Sequence, residues 1–138
     1  MDWKEYKYLG EWDNRGAVTF RPFITIYLRH GDVSIPIDAL VDSGSDGMVV
    51  NADLATALNI DASLRRPGGL SGSTGLKEGF ISDVSYEVAG FPDETISTSA
   101  IFMEGLPVPC LIGQRDFFDR FLVLFDKHNH LLKIAKPK

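Results

Sequence analysis

A chain of 138 residues with 44% hydrophobic and 24% charged side chains has the size and composition of one globular domain, which excludes disordered and fibrous classes. Its formal net charge of -5, with no basic run longer than Arg65-Arg66, argues against a nucleic-acid partner, because neutralising phosphates needs clustered cations. A single cysteine, Cys110, precludes an internal disulfide, and neither the charged, aromatic N-terminus nor any apolar run suits a signal peptide or a ~20-residue membrane span, so a cytoplasmic protein with no membrane partner is expected.

In chain order, residues 1–19 read as an N-terminal extension or dimer-contact segment, with Trp3 and Trp12 as packing or contact residues, ahead of a domain over 20–138. Residues 23–29 alternate β-branched and aromatic side chains, and His30-Gly31-Asp32 supplies a turn before Val33, so a hairpin is expected. The apolar run Ile35-Pro36-Ile37-Asp38-Ala39-Leu40-Val41 predicts a buried strand that delivers Asp42-Ser43-Gly44. Met48-Val49-Val50 predicts another, followed by a short helix capped by Asn51, with Asp53 in its first turn and Leu54, Ala55 and Leu58 at helical spacing up to Asn59.

Glycine then recurs from Pro67 to Gly79, and the flanks Leu64-Arg65-Arg66 and residues 80–88 are expected to pair as a long hairpin. Residues 95–102 predict a strand, Pro107-Val108-Pro109 an irregular passage, Leu111-Ile112-Gly113 a short apolar element and residues 115–118 one helical turn. Residues 121–125 and 131–135 flank the turn 126–130 as strand, turn and strand. Many short strands with frequent turns and one or two short helices make this an all-β chain, closed or nearly closed into a barrel.

Chemistry concentrates at Asp42. Two carboxylates that share one proton can activate a water for attack on a peptide carbonyl without metal or cofactor. Such a carboxylate needs a tight turn with no bulk above it, which Gly44 provides, and small hydroxyls nearby, which Ser43 and Ser45 provide. Only one Asp-Ser-Gly occurs, so one chain holds half of such a pair, and a twofold dimer is required to complete it.

Asp42-Ser43-Gly44 after an apolar strand, a glycine-rich stretch, and Leu111-Ile112-Gly113 downstream resemble, in that order, the retropepsin-like (retroviral-type) aspartic proteases, including the small bacterial and archaeal cellular branch. The resemblance spans residues 20–136. It implies a single-lobed pepsin-like barrel acting as a homodimer on a peptide or protein substrate, an aspartic endopeptidase with Asp42 as catalytic residue and Ser43, Gly44 and Ser45 in support. It further implies a substrate-binding flap that includes Gly69, Leu70, Ser71, Gly72, Ser73 and Thr74, with Leu111, Ile112 and Gly113 packed beneath the catalytic loop. Gln114 departs from the pattern, standing where viral members usually carry an arginine, with Arg115 next to it. The competing class is a homodimeric peptide- or protein-binding module of the same fold that does not cut.

Other motifs carry less. Asp42, Asp46, Gly47 and Asp53 fall at EF-hand positions one, five, six and twelve, but position three is Gly44, the last is not Glu, and a strand precedes where a helix is required. His128 and His130 read as a surface turn, and Cys110 as a small buried apolar group.

Overall fold

A computed structural model describes residues 1–72 and 75–138. Twelve strands account for most of it: β1 (Lys4–Lys7), β2 (Leu9–Trp12), β3 (Val18–Arg21), β4 (Phe23–His30), β5 (Val33–Val41), β6 (Val49–Asn51), β7 (Arg66–Gly72), β8 (Gly75–Val88), β9 (Ile96–Met103), β10 (Cys110–Ile112), β11 (Leu122–Asp126) and β12 (Leu131–Ala135). The helices are short, α1 (Leu54–Ala57) and a 3-10 turn at Ala62–Leu64.

Strands β4, β5, β10, β6, β9 and β8 pair in that order, and β8 pairs back onto β4, closing a six-stranded barrel; β7 hangs on β8 outside the ring. Closure gives one interior, filled by Ile26, Leu28, Val50, Tyr86, Phe102 and Ile112, each no more than 1% exposed. The alternation that builds it is visible along β8, where Ser82, Val84, Tyr86 and Val88 are buried and Asp83 is exposed. The expected all-β closed barrel with short helices is the observed architecture.

Several local expectations change. The run over residues 35–41 is not buried throughout: only Ala39 and Val41 are, while Ser34, Pro36 and Asp38 face solvent. The cause is pairing, since β10 covers only Ala39, Leu40 and Val41, leaving the first half of β5 bonded to β4 alone, an edge where a proline is tolerated. Asn51 accepts the Asp53 N–H (3.0 Å), yet α1 starts after Asp53, whose side chain makes no capping bond, and Asn59 at φ 55° ends the turn that follows.

The expected helical turn at 115–118 is a bend, with Arg115 extended and Asp116 at φ 70°. Tertiary bonds win there over helix formation, because Arg115 N–H donates to the Asp46 carbonyl (2.8 Å).

The N-terminal segment contains strands that its mixed charge concealed. β1 pairs antiparallel with β12, Glu5 lies opposite Lys133 at 3.4 Å, and Tyr6 Oη donates to the Ala89 carbonyl at 2.6 Å. β2 and β3 form a separate hairpin on which Trp12 is 77% exposed. Partial burial pushes the Tyr6 hydroxyl up to about 12, so ionisation opposes folding as pH rises from the ordinary tyrosine range near 10 through that value. Tyr6→Phe is expected to lower stability by about 1 kcal/mol near neutral pH by orphaning Ala89, and to lessen the loss of stability above pH 10, both read by urea denaturation.

Candidate functional site

The site begins where β5 ends. Asp42 N–H donates to the Ile112 carbonyl (2.9 Å), which extends the parallel β5–β10 ladder by one bond and locks the start of the loop. The chain then turns: Ser45 N–H reaches the Asp42 carbonyl (3.1 Å), and Gly44 N–H donates to Asp42 Oδ1 (2.9 Å). A Cβ on Gly44 would lie 3.2 Å from that same Oδ1, so the glycine keeps space beside the carboxylate. Asp42 is half-buried, and Ser43 and Gly44 are exposed.

Residues 112–115 stitch the loop from beneath. Gln114 N–H donates to the Ser45 carbonyl (2.8 Å), Gln114 Nε2 to the Ser43 carbonyl (2.6 Å), and Arg115 N–H to the Asp46 carbonyl (2.8 Å). Gln114 thus holds the loop by neutral hydrogen bonds where an arginine would do so by charge. Among the described residues no ion pair joins Arg115 to Asp46; the bond between them is through the backbone. Ser45 lies beside Asp42, but its hydroxyl donates to the Gly47 carbonyl (2.8 Å) and braces the loop.

Leu111, Ile112 and Gly113 lie directly under this loop. Ile112 is 1% exposed, Leu111 faces the cleft, and Gly113 sits so close to Ser45 that any Cβ would strike the Ser45 carbonyl oxygen. A cleft of about 530 Å³ opens before Asp42, walled also by Met48, Ile81, Ser99, Ile101 and Arg115. Ile81 and Ile101 are directly paired across β8 and β9; the period-two alternation of both strands is the signal by which the sequence could have placed them on this wall.

Of the expected flap, Gly69, Leu70, Ser71 and Gly72 belong to β7 and pair with Glu78, Lys77, Leu76 and Gly75 of β8, while Ser73 and Thr74 lie outside the described residues. At the base of this hairpin Arg66 bonds Asp83 (3.0 Å) and Ser99 (3.3 Å), and Ser99 Oγ donates to Asp83 (2.8 Å). The Arg66 bond, then the Ser99 bond, hold the Asp83 carboxyl below the ordinary carboxylate range. Its stabilising effect is therefore present above the unfolded aspartate value and lost only as pH falls through the lower folded value.

Cys110 is fully buried, and desolvation pushes its thiol well up, so it is not a nucleophile. Alkylation of Cys110 by iodoacetamide at pH 7.5 is expected to be at least about 100-fold slower in the native protein than in denaturant, followed by mass spectrometry. His130 stacks on Phe20 with ring centroids 4.4 Å apart, and among the described residues no three His, Cys, Asp or Glu side chains converge on a metal position. No helix among them is long and apolar enough to cross a membrane.

No family model matches the sequence, and no curated protein matches it. Solved structures do. A retropepsin-like aspartic protease from Rickettsia conorii superposes with a TM-score of 0.64 at 15% identity, covering 96% of this chain and 91% of that one. The EIAV protease in complex with an inhibitor superposes with a TM-score of 0.58 at 23% identity, over 72% of this chain and 86% of that one. Taken with the closed barrel and the loop beneath Asp42, these likenesses establish that the chain has the retropepsin-like fold.

Proposed function

We propose that the protein is a homodimeric aspartic endopeptidase in which Asp42 and its twofold mate hold and activate the attacking water. The observation that carries this is the Asp42 loop: a carboxylate at a strand end, given space by Gly44, pinned by a single backbone N–H and open to a peptide-sized cleft. Two such carboxylates brought together cannot both ionise easily, so one proton is shared between them. One carboxylate takes the water's proton as the oxygen attacks, and its protonated mate hydrogen-bonds the substrate carbonyl.

In this reading Ser43 and Gly44, both exposed beside Asp42, face the partner, and residues 1–19 add to the contact between copies. The β7–β8 hairpin, to which Gly69, Leu70, Ser71 and Gly72 belong, covers the peptide. Leu111, Ile112 and Gly113 keep the loop in place, and the reaction draws on no metal or cofactor.

The test is cleavage of a diverse peptide library from pH 3 to 8 by wild type and Asp42→Asn, with dimerisation followed by analytical ultracentrifugation. Cuts that vanish in the variant while the dimer persists are the expected result. A dimer that cuts nothing in either form would leave the peptide-binding module as the reading.

A further inference from the structure

The Asp42 cleft does not end at Ser99 and Arg115. Those two residues also line a second, larger cleft of about 660 Å³, whose walls include Arg29, Ser85, Ser97 and Thr98. The two cavities meet along the outer face of β8 and β9. There the register places Ile81 opposite Ile101, then Asp83 opposite Ser99, then Ser85 opposite Ser97, as successive outward rows. Four residues along each strand span about 13 Å, the reach of roughly four residues of extended peptide. The character of the wall changes over that distance from apolar beside Asp42 to serine hydroxyls interspersed with Arg29, His30, Asp83, Arg115 and Asp116 beyond it.

Charge in the second cleft is mostly settled internally. Arg29 pairs with Glu87 at 3.0 Å, and Asp83 pairs with Arg66 at 3.0 Å. Arg115 and Asp116 add one charge of each sign. A segment lying there meets hydroxyls and a near-neutral field, so highly charged chains gain nothing and an uncharged polar one can satisfy its backbone and side-chain hydrogen bonds.

We propose that this trough, with Ser85, Ser97 and Ser99 on its outward rows, is an extended binding site for the part of a substrate beyond the cleft, and that it selects long, extended polypeptides carrying an uncharged polar segment distal to the bond cut. The proposal rests on the endopeptidase reading for its chemistry. Contact made there is remote from the reacting bond, and binding energy from such remote parts can be used to position the bond that reacts.

The test compares a short library-derived substrate with the same peptide extended at either end by six Ser, Thr, Asn or Gln residues. Wild type, Ser97→Trp and Ser85→Trp are assayed, the two indoles filling the trough from opposite strands and thermal unfolding confirming that each variant folds. The expected result is a kcat/KM about tenfold higher for one of the extended peptides in wild type, with that ratio falling to about one in both variants. Short peptide cut, but no advantage of length, or an advantage that survives both substitutions, overturns the trough while leaving the endopeptidase reading intact. If wild type cuts neither length, the endopeptidase reading fails and fluorescence anisotropy decides the trough. Tighter binding of an extended peptide, lost in both variants, sustains it, and equal binding of both lengths overturns it.

Discussion

Asp42→Asn is expected to lower kcat/KM by on the order of 10⁴-fold while leaving stability within about 0.5 kcal/mol of wild type. The two halves of that expectation have separate physical sources. Asparagine has nearly the shape of aspartate, and its Oδ1 can accept the same Gly44 N–H that now reaches Asp42 Oδ1 at 2.9 Å, so the loop keeps its bond. What it cannot do is take a proton from water or share one with a partner carboxylate, and in a twofold dimer the substitution removes both members of the pair at once. Melting temperature and peptide kinetics on the same sample read the two effects. A variant that melts with wild type and still cuts within a few-fold of its rate would show that the reacting group lies elsewhere.

Gly113→Ala is expected to destabilise the protein by about 3 kcal/mol and to abolish cleavage with it. The objection to a side chain at 113 is steric alone, since its φ of -142° is open to any residue. An added Cβ would overlap the Ser45 carbonyl oxygen and stand 2.7 Å from the Ser45 carbonyl carbon and 2.9 Å from its Cβ. Backbone atoms cannot swing aside as a side-chain tip can, so the loop must lift. Lifting it stretches the bonds from Gln114 N–H to the Ser45 carbonyl and from Gln114 Nε2 to the Ser43 carbonyl. Gly47→Ala, whose Cβ would meet only Arg115 Cβ at 3.9 Å, is the matched control and should change stability by less than about 0.5 kcal/mol. Urea denaturation of both variants checks the pair, and equal midpoints would refute the steric account.

The barrel was legible in the sequence because its strands announce themselves twice, by alternation and by turn chemistry. Gly31 at φ 57° joins β4 to β5 where His30-Gly31-Asp32 predicts a turn, and Asp42 follows β5 as the apolar run implies. Strand β1 was not, because Lys4, Glu5 and Lys7 are polar and only Tyr6 is tucked in, so its pairing with β12 depends on a partner more than 120 residues away. The bend at Gln114–Phe118 escaped for a related reason. Locally it suits a helical turn, and only the carbonyls of the Asp42 loop, which no periodicity reveals, pull its N–H groups elsewhere. Ser45 shows the same limit, since a hydroxyl next to a carboxylate found a nearer carbonyl at Gly47.

The bond from Gln114 to Ser43 joins positions 71 apart in the chain. Ribosomes deliver about 5–20 residues per second, so a growing chain carries its Asp42 turn for several seconds before the segment that shapes it exists. Non-local pairings of this kind form late and slowly. A nascent or truncated chain ending before residue 112 therefore has Asp42 but no rigid loop to aim it, and the geometry around this carboxylate is withheld until the last quarter of the polypeptide has folded onto the first strands of the barrel.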